Sequence, residues 1–150
     1  MNLHSSSSNN NDDNEISKTA SDKSPIRILL VDDEPDITSV TKRGLQSNGF
    51  EVDAFTDPAK ALSNFKTGIY DLLLLDVKMP KMNGFELYQR INKIDNKIKV
   101  CFISAVESYA EEFETAFHKQ NESCFIRKPI SVDELANKIR EQLVLKESRQ

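Results

Sequence analysis

From Ile26 onward, the sequence alternates short apolar runs with longer segments whose apolar residues recur at helical spacing. This alternation is typical of βα units, in which parallel strands form one sheet and helices cover both of its faces. The sequence contains five such units. The predicted strands are residues 26–31, 51–55, 71–75, 99–103 and 123–126, and the predicted helices are residues 35–48, 58–66, 84–94, 109–119 and 132–145.

The predicted fold is therefore α/β, with a doubly wound, five-stranded parallel sheet. Because βα crossovers are right-handed, a reversal of direction after the second strand places strands one and three side by side. The strand order that we predict is 2-1-3-4-5, which is flavodoxin-like, with helices on both faces of the sheet.

Residues at the predicted helix starts support these boundaries. Pro35 and Pro58 suit first helical positions, where the missing amide hydrogen costs nothing. Asp57 can cap the second helix, and Ser131 with Glu134 has the spacing of a capping box at the start of the fifth.

The length and composition predict one folded domain. The chain has 150 residues, of which 38% are hydrophobic, enough to fill one core. Residues 1–24 are rich in Ser, Asn and Asp and lack the apolar stretch of a signal peptide, so we expect a disordered polar tail. The folded unit is predicted to span residues 25–145, and residues 146–150 form a short tail that leaves no room for an output module.

Charge and hydropathy exclude two classes of partner. The formal net charge of −4 provides no concentrated positive field for nucleic acid, so the expected partner is a protein. No apolar run approaches the about 18 residues of a membrane span, and we expect a soluble, cytoplasmic protein. Cys101 and Cys124 lack metal-ligand spacing and lie in apolar strand-like runs, so we expect two small core residues and not a redox pair.

Three carboxylates follow two of the predicted strands. Asp32 and Asp33 come directly after the first strand, and Asp76 follows the third. Ligand sites in open α/β sheets gather at the carboxyl ends of the strands, so these residues should converge. Their mutual repulsion favours a neutralising cation, and hard oxygen ligands select Mg²⁺ or a similar ion.

Two further residues complete a site for phosphoryl transfer. Lys128, just after the fifth strand, can supply a positive charge, and Ser104, after the fourth, can supply a hydroxyl. An aspartate can then be the nucleophile, while a metal ion and an ammonium group neutralise the phosphoryl oxygens. Taken singly, each residue also has a plainer explanation, since acidic residues cap helices and lysines are usually exposed.

These residues stand in motifs that resemble the receiver domains of response regulators in two-component signalling, including the stand-alone receivers of the chemotaxis type. The motifs are VDDEP at 31–35, LLLLDVKMPKMNGFEL at 72–87, ISA at 103–105 and KP at 128–129. Each motif is weak alone, but the ordered set is specific and spans most of the chain after the tail.

The resemblance implies a role for each site residue. Asp76 is the expected phosphoacceptor. Asp33 is expected to bind Mg²⁺ directly, Asp32 through water, and the backbone carbonyl of Lys78 to complete the metal ligands together with Asp76. Lys128 is expected to pair with the phosphoryl group, and the bond that follows it, to Pro129, is expected to be cis.

The resemblance also implies a conformational switch. After phosphorylation, Ser104 is expected to bind a phosphoryl oxygen while Phe125 turns into the vacated space. Phe125 departs from the tyrosine that is commoner at this position, so it lacks a hydroxyl for partner recognition. The surface of the fourth predicted helix, strand five and the fifth predicted helix should then change its affinity for a downstream protein.

The expected function is that of a single-domain response regulator, not an enzyme, which accepts a phosphoryl group from a histidine kinase or a histidine phosphotransfer protein. It could instead be a phosphorelay intermediate, and it could be a monomer or a phosphorylation-dependent dimer. A magnesium-dependent phosphatase with an aspartate nucleophile usually needs a second acid two residues later, where this chain has Lys78. A flavodoxin-like cofactor binder needs a phosphate-binding loop after strand one, where Asp32 would repel phosphate.

Overall fold

The computed structural model describes residues 24–105 and 123–148, which form a parallel sheet with helices on both faces. The strands are β1 Arg27–Val31, β2 Glu51–Phe55, β3 Leu72–Asp76, β4 Lys99–Ser104 and β5 Ser123–Arg127. The described helices are α1 Pro35–Ser47, α2 Pro58–Asn64, α3 Gly84–Asn92 and α4 Val132–Ser148, the last being the fifth predicted helix. The fourth predicted helix, residues 109–119, lies outside the described residues. Residues 1–23 of the predicted tail also lie outside them.

The sheet has the predicted order, β2-β1-β3-β4-β5, and every neighbouring pair is parallel. Both the fold class and the strand order are therefore confirmed. The reversal after β2 places β1 beside β3, with Val31 opposite Leu75. Asp32 and Asp76 each follow one of these opposed residues, so their backbones emerge together at the carboxyl edge of the sheet.

The core lies in two layers, one on each face of the sheet. One layer packs beneath α2 and α3 and includes Leu73, Leu75 and Phe102; the other packs beneath α1 and α4 and includes Leu72 and Leu74. The four consecutive leucines of β3 are fully buried because successive residues of a strand face opposite layers. Each contributes about 1.5–3 kcal/mol by burial, so β3 is held firmly at the centre of the sheet.

The helix starts follow the sequence signals, whereas the ends do not. Pro35 and Pro58 begin α1 and α2, and Asp57 caps α2 by accepting from Ala59 N–H at 2.9 Å. Ser131 Oγ accepts from Glu134 N–H at 3.1 Å, as a capping residue does. The helices α2 and α3 each end two residues before the predicted ends at 66 and 94, and α4 runs three residues beyond the predicted end at 145.

The prediction that the two cysteines are core residues is confirmed, because both pack in the layer beneath α1 and α4. The prediction that they are not a pair was wrong, because Cys101 and Cys124 form a disulfide with their Cα atoms 4.5 Å apart. The two residues are directly opposite each other in the parallel pair β4 and β5. Their separation of 23 residues in the sequence does not reveal this register, which is set by how two complete strands align.

No helix within residues 24–105 and 123–148 is long and apolar enough to cross a membrane.

Candidate functional site

Three carboxylates converge at the carboxyl edge of the sheet. Asp32 and Asp33 follow β1 directly, and Asp76 is the last residue of β3. One carboxylate oxygen from each residue lies within 4.8 Å of one from each of the others. The adjacency of β1 and β3 produces this cluster, as the strand order predicts.

Burial makes the cluster electrostatically unfavourable when it is fully ionised. Asp32 and Asp76 are only 4% and 6% exposed. The pKa of Asp76 is raised from 3.8 to about 7, chiefly by burial, and the negative charges of Asp32 and Asp33 raise it further. Lys128 and a hydrogen bond from the backbone N–H of Lys78 act in the opposite direction. A divalent cation would relieve the remaining repulsion, and three carboxylates are the oxygen donors that Mg²⁺ prefers.

Lys128, which follows the edge strand β5, places a positive charge next to the cluster. Its Nζ lies 3.6 Å from Asp32 Oδ2, and its side chain is 23% exposed. Its backbone N–H donates to the carbonyl of Ser104 at 3.0 Å, which ties the end of β5 to the end of β4. The bond between Lys128 and Pro129 is cis, as the resemblance implied.

Ser104 ends β4 at the same edge and is almost fully buried, with 2% exposed. An open cavity of about 490 Å³ stands above this edge, and its lining includes both acidic and basic residues. Among the lining residues are Asp33, Asp76, Lys78, Ser104 and Lys128. Acidic, hydroxyl-bearing and basic residues therefore line one space that is large enough for a phosphoryl group.

The loop after β3 packs directly against the backbone of Asp76. A Cβ placed on Gly84 would lie 2.5 Å from the carbonyl oxygen of Asp76, so only glycine fits at the start of α3. Gly84 N–H also donates to the carbonyl of Val77 at 3.0 Å. A reciprocal capping box between Asn83 and Glu86 fixes the same turn, with both hydrogen bonds at 2.9 Å.

Two neighbours of the acid pair were not identified from the sequence. The hydroxyl of buried Thr38 lies 2.8 Å from the carbonyl oxygen of Asp32 and 2.8 Å from that of Glu34. The backbone N–H of Glu34 donates to Asp32 Oδ1 at 3.0 Å, and Glu34 also lines the cavity. A threonine in a helix often donates a hydrogen bond to the carbonyl four residues earlier, but that pattern does not single out Thr38 as a contact of the site.

Phe125 lies apart from the carboxylates. It is half-buried on β5 and packs against the core layer beneath α2 and α3. The structure therefore brings together Asp32, Asp33, Asp76, Ser104, Lys128 and the backbone of Lys78, but leaves Phe125 within the neighbouring core.

Comparison with known proteins agrees with this arrangement. A sequence model of the family described as the response regulator receiver domain matches residues 28–140. The chain belongs to the response-regulator receiver family. The match includes every predicted site residue and all of the five strands except Arg27, the first residue of β1.

Two relatives illustrate the range of proteins that contain such a domain. The chain is 32% identical over 119 residues to the transcriptional regulatory protein TrcR of Mycobacterium tuberculosis, a match covering 79% of this chain but 46% of TrcR. It is 30% identical over 118 residues to the response regulator receiver protein CpdR of Brucella abortus, covering 79% of this chain and 97% of CpdR. The chain thus spans about half the length or less of the first transcriptional regulators that it matches, and nearly the whole of CpdR.

The receiver fold is also shared with solved structures. The response regulator TrrA of Thermotoga maritima, determined in complex with Mg²⁺-BeF, superposes with a TM-score of 0.67 at 32% identity. The superposition covers 78% of this chain and 98% of TrrA.

Proposed function

We propose that this receiver accepts a phosphoryl group on Asp76 from a phosphohistidine, and that phosphorylation changes its affinity for another protein. The observation that carries the proposal is the geometry of the acceptor. Asp76 is a buried carboxylate within 4.8 Å of the oxygens of Asp32 and Asp33, in a cavity that Lys128 also lines. In phosphoryl transfer, a protein mainly positions the reacting groups and neutralises the charge on the phosphoryl oxygens. This set of residues can do both.

A carboxylate oxygen of Asp76 is the proposed nucleophile. It attacks the phosphorus atom, the bond between phosphorus and the imidazole nitrogen of the donor breaks, and the electron pair of that bond stays on the nitrogen. Asp76 must be ionised to attack, whereas its raised pKa of about 7 shows that burial opposes ionisation. A positive charge in the site would therefore stabilise the ionised, reactive form of Asp76. It would also stabilise the negative charge on the phosphoryl oxygens.

Mg²⁺ is the proposed cofactor, and it would supply the positive charge that the three carboxylates require. We propose Asp33 and Asp76 as direct ligands, Asp32 as a ligand through water, and the backbone carbonyl of Lys78 as the remaining protein ligand. The donor set supports this assignment, because all of these atoms are hard oxygens. The bond from Glu34 N–H to Asp32 holds one carboxylate in a fixed orientation.

Lys128 and Ser104 are the proposed partners of the phosphoryl oxygens. The Nζ of Lys128 lies 3.6 Å from Asp32, and its flexible side chain can turn within the shared cavity toward a group on Asp76. The hydroxyl of Ser104 can donate one hydrogen bond to the same group. A small residue, Ala105, also lines the cavity and leaves room for a donor.

The proposed readout couples Ser104 to Phe125. Movement of Ser104 toward the phosphoryl group would open space that Phe125 can enter from its half-buried position on β5. The surface of the fourth predicted helix, β5 and α4 would then change its affinity for a downstream protein. Phe125 has no hydroxyl, so recognition there would depend on apolar contact.

The proposed donor is a histidine kinase or a histidine phosphotransfer protein, and the proposed place of action is the cytoplasm. We infer that the chain does not turn over free substrates, since its only chemistry would be its own phosphorylation and dephosphorylation. The match over nearly all of CpdR, a response regulator receiver protein, supports a role as a receiver and not as a magnesium-dependent phosphatase. A phosphorelay intermediate would use the same site but pass the phosphoryl group on to a histidine.

Intact mass spectrometry tests the acceptor. Incubation with acetyl phosphate and Mg²⁺ should add the mass of one phosphoryl group, labile to base, and EDTA should prevent it. Asp76→Asn should abolish the adduct. Asp71→Asn is the matched control just before the start of β3, where Asp71 accepts from Arg27 N–H, and it should leave the adduct intact. An adduct that survives in Asp76→Asn would refute the assignment.

A second assay separates the two signalling roles. The phosphorylated chain is mixed with a histidine phosphotransfer protein, and the phosphoryl group is followed on both. Transfer to histidine would identify a relay intermediate, whereas stable phosphorylation of Asp76 accompanied by stronger binding to another protein would identify a regulator that acts by binding.

A further inference from the structure

The disulfide between Cys101 and Cys124 joins the last two strands of the sheet. Cys101 is fully buried at the middle of β4, and Cys124 is half-buried near the start of β5. Both side chains pack in the core layer beneath α1 and α4, together with Ile103 and Ile126. These are the only two cysteines of the sequence, so any thiol chemistry of the chain takes place at this pair.

The position of the bond gives it influence over the site. In the described sheet β5 is an edge strand that pairs with β4 on one side. β5 carries Phe125, and its end leads directly into Lys128. At the carboxyl ends of β4 and β5, Lys128 N–H donates a hydrogen bond to the carbonyl of Ser104. The disulfide joins the same two strands three residues before Ser104.

We infer that Cys101 and Cys124 form a reversible redox site, modified by small thiols and small disulfides, whose state sets the mobility of β5. A disulfide in a compartment kept reducing by small thiols is usually catalytic or redox-sensing. The proposed cytoplasmic location, on which this step rests, therefore favours a regulatory bond over a permanent one. Cys124 is half-buried whereas Cys101 is fully buried, so Cys124 is the residue that we expect an external thiol to attack.

The exchange proceeds in two balanced steps. A small thiolate attacks Sγ of Cys124, a mixed disulfide forms there, and Cys101 leaves as a thiolate that takes up a proton. A second small thiolate attacks the sulfur of the small molecule in the mixed disulfide, and Cys124 leaves as a thiolate that is protonated. Two small thiols thus become one small disulfide, and the protein gains two thiols; a small disulfide reverses both steps.

The physical consequence falls on the edge strand. With the bond intact, β5 cannot separate from β4 without moving both backbones together. After reduction, the strand is held by non-covalent contacts alone, among them the ladder hydrogen bonds and the packing of Ile126. Local opening of an edge strand is then easier, and it exposes the amides of β5 to exchange with solvent.

The first test measures the thiols of the native, full-length chain. The protein is equilibrated in glutathione buffers of graded redox ratio, quenched with acid, alkylated with a maleimide and weighed intact. We expect no adduct at the oxidising end, two adducts at the reducing end, and a transition within the range of the series. Two adducts at every ratio, or a bond that only a denaturant makes reducible, would overturn the inference.

The second test measures the mobility of β5 by hydrogen exchange and mass spectrometry in the oxidised and reduced forms. We expect exchange of peptides spanning residues 123–127 to rise by at least about tenfold on reduction, with β1 and β3 unchanged. The double variant Cys101→Ala/Cys124→Ala should exchange like the reduced form at every redox ratio. Ile103→Val/Ile126→Val is the matched packing control, because these residues are also opposed in the β4–β5 ladder on the same face.

The variant Ile103→Val/Ile126→Val should show the same increase in β5 exchange on reduction as the wild type, although its packing is altered. Equal exchange of β5 in the oxidised and reduced forms would overturn the inference. Both readouts are independent of phosphorylation, so a failure of Asp76 to accept a phosphoryl group would refute the proposed function without affecting this result.

Discussion

The ammonium of Lys128 lies 3.6 Å from the carboxylate of Asp32, although the two residues follow strands that are separated in the sheet by β3 and β4. The acid pair and its counter-charge therefore meet only because all the strands end at one edge. Lys128 lowers the pKa of Asp76, while Asp32 raises it. We therefore expect the charge of Lys128 to oppose metal binding but to support phosphoryl transfer. These two effects can be measured separately.

Lys128→Ala should bind Mg²⁺ as tightly as the wild type or more tightly, yet accept a phosphoryl group from acetyl phosphate about 10 to 100 times more slowly. The first effect follows from the loss of a repelling charge, and the second from the loss of an electrostatic partner of the phosphoryl oxygens. Calorimetry gives the affinity and intact mass gives the rate. Lys138→Ala, which removes an exposed lysine on α4, should change neither quantity. Equal rates in Lys128→Ala and wild type would contradict the role of Lys128.

Metal-free protein should lose stability as the pH rises from about 4 to about 7. The pKa of Asp76 is raised in the folded state, from 3.8 to about 7, so the folded chain binds more protons than the unfolded chain in this window. The contribution of protonated Asp76 to the free energy of unfolding is fully present below about pH 4. It is lost as the pH rises through about 7. The slope from this group is at most about 1.4 kcal/mol per pH unit.

Mg²⁺ should remove that dependence by neutralising the cluster. The rise in Tm on adding Mg²⁺ should therefore be larger at pH 8 than at pH 5, as scanning calorimetry would measure. Asp76→Asn has no charge to titrate at this position, so the difference between its stability and that of the wild type should grow with pH in metal-free buffer. A pH-independent difference would show that Asp76 titrates normally in the folded protein.

Gly84→Ala should destabilise the protein by about 1–3 kcal/mol and slow phosphorylation, because a Cβ at this position would lie 2.5 Å from the carbonyl oxygen of Asp76. Relief of that clash must move either α3 or the acceptor. Thermal unfolding and the rate of adduct formation measure the two effects. An unchanged Tm and rate would mean that the turn relaxes without disturbing Asp76.

Lys81→Gly serves as a comparison within the same loop. Lys81 has φ of +72°, a left-handed conformation that favours glycine, so this substitution should leave Tm unchanged or raise it slightly. Opposite responses to the two substitutions would show that close approach to Asp76, and not the general sensitivity of the loop, explains the effect of Gly84→Ala.

The parts of the site that sequence predicts are those that follow from strand ends. Asp32, Asp33 and Asp76 each stand at a recognisable boundary between an apolar run and a loop, and the topology of parallel sheets brings such boundaries to one edge. Their convergence could be inferred without coordinates. The same reasoning located Ser104, the last residue of β4, and Lys128, which follows β5.

The parts that sequence did not predict depend on alignment between segments. The disulfide requires Cys101 and Cys124 to be opposite each other, and a shift of one residue in register would have turned one of them to the other face. The helix ends at 64 and 92 depend on packing that local propensity does not encode. The contact of Thr38 with the carbonyl of Asp32 joins residues six apart across the turn before α1, a distance that no helical hydrogen bond spans.

Thr38→Val should weaken Mg²⁺ binding by about tenfold, because the hydroxyl that holds the carbonyl of Asp32 is lost while the shape of the side chain is kept. The same variant should lose about 1 kcal/mol of stability from its missing hydrogen bond. Thr38→Ser keeps the hydroxyl and should retain the Mg²⁺ affinity, although it removes a buried methyl group. Calorimetric titration of both variants with Mg²⁺ distinguishes the loss of the hydroxyl from the change in packing. If Thr38→Ser lost as much affinity as Thr38→Val, the effect would come from packing. The hydroxyl would then have no part in orienting the acid pair.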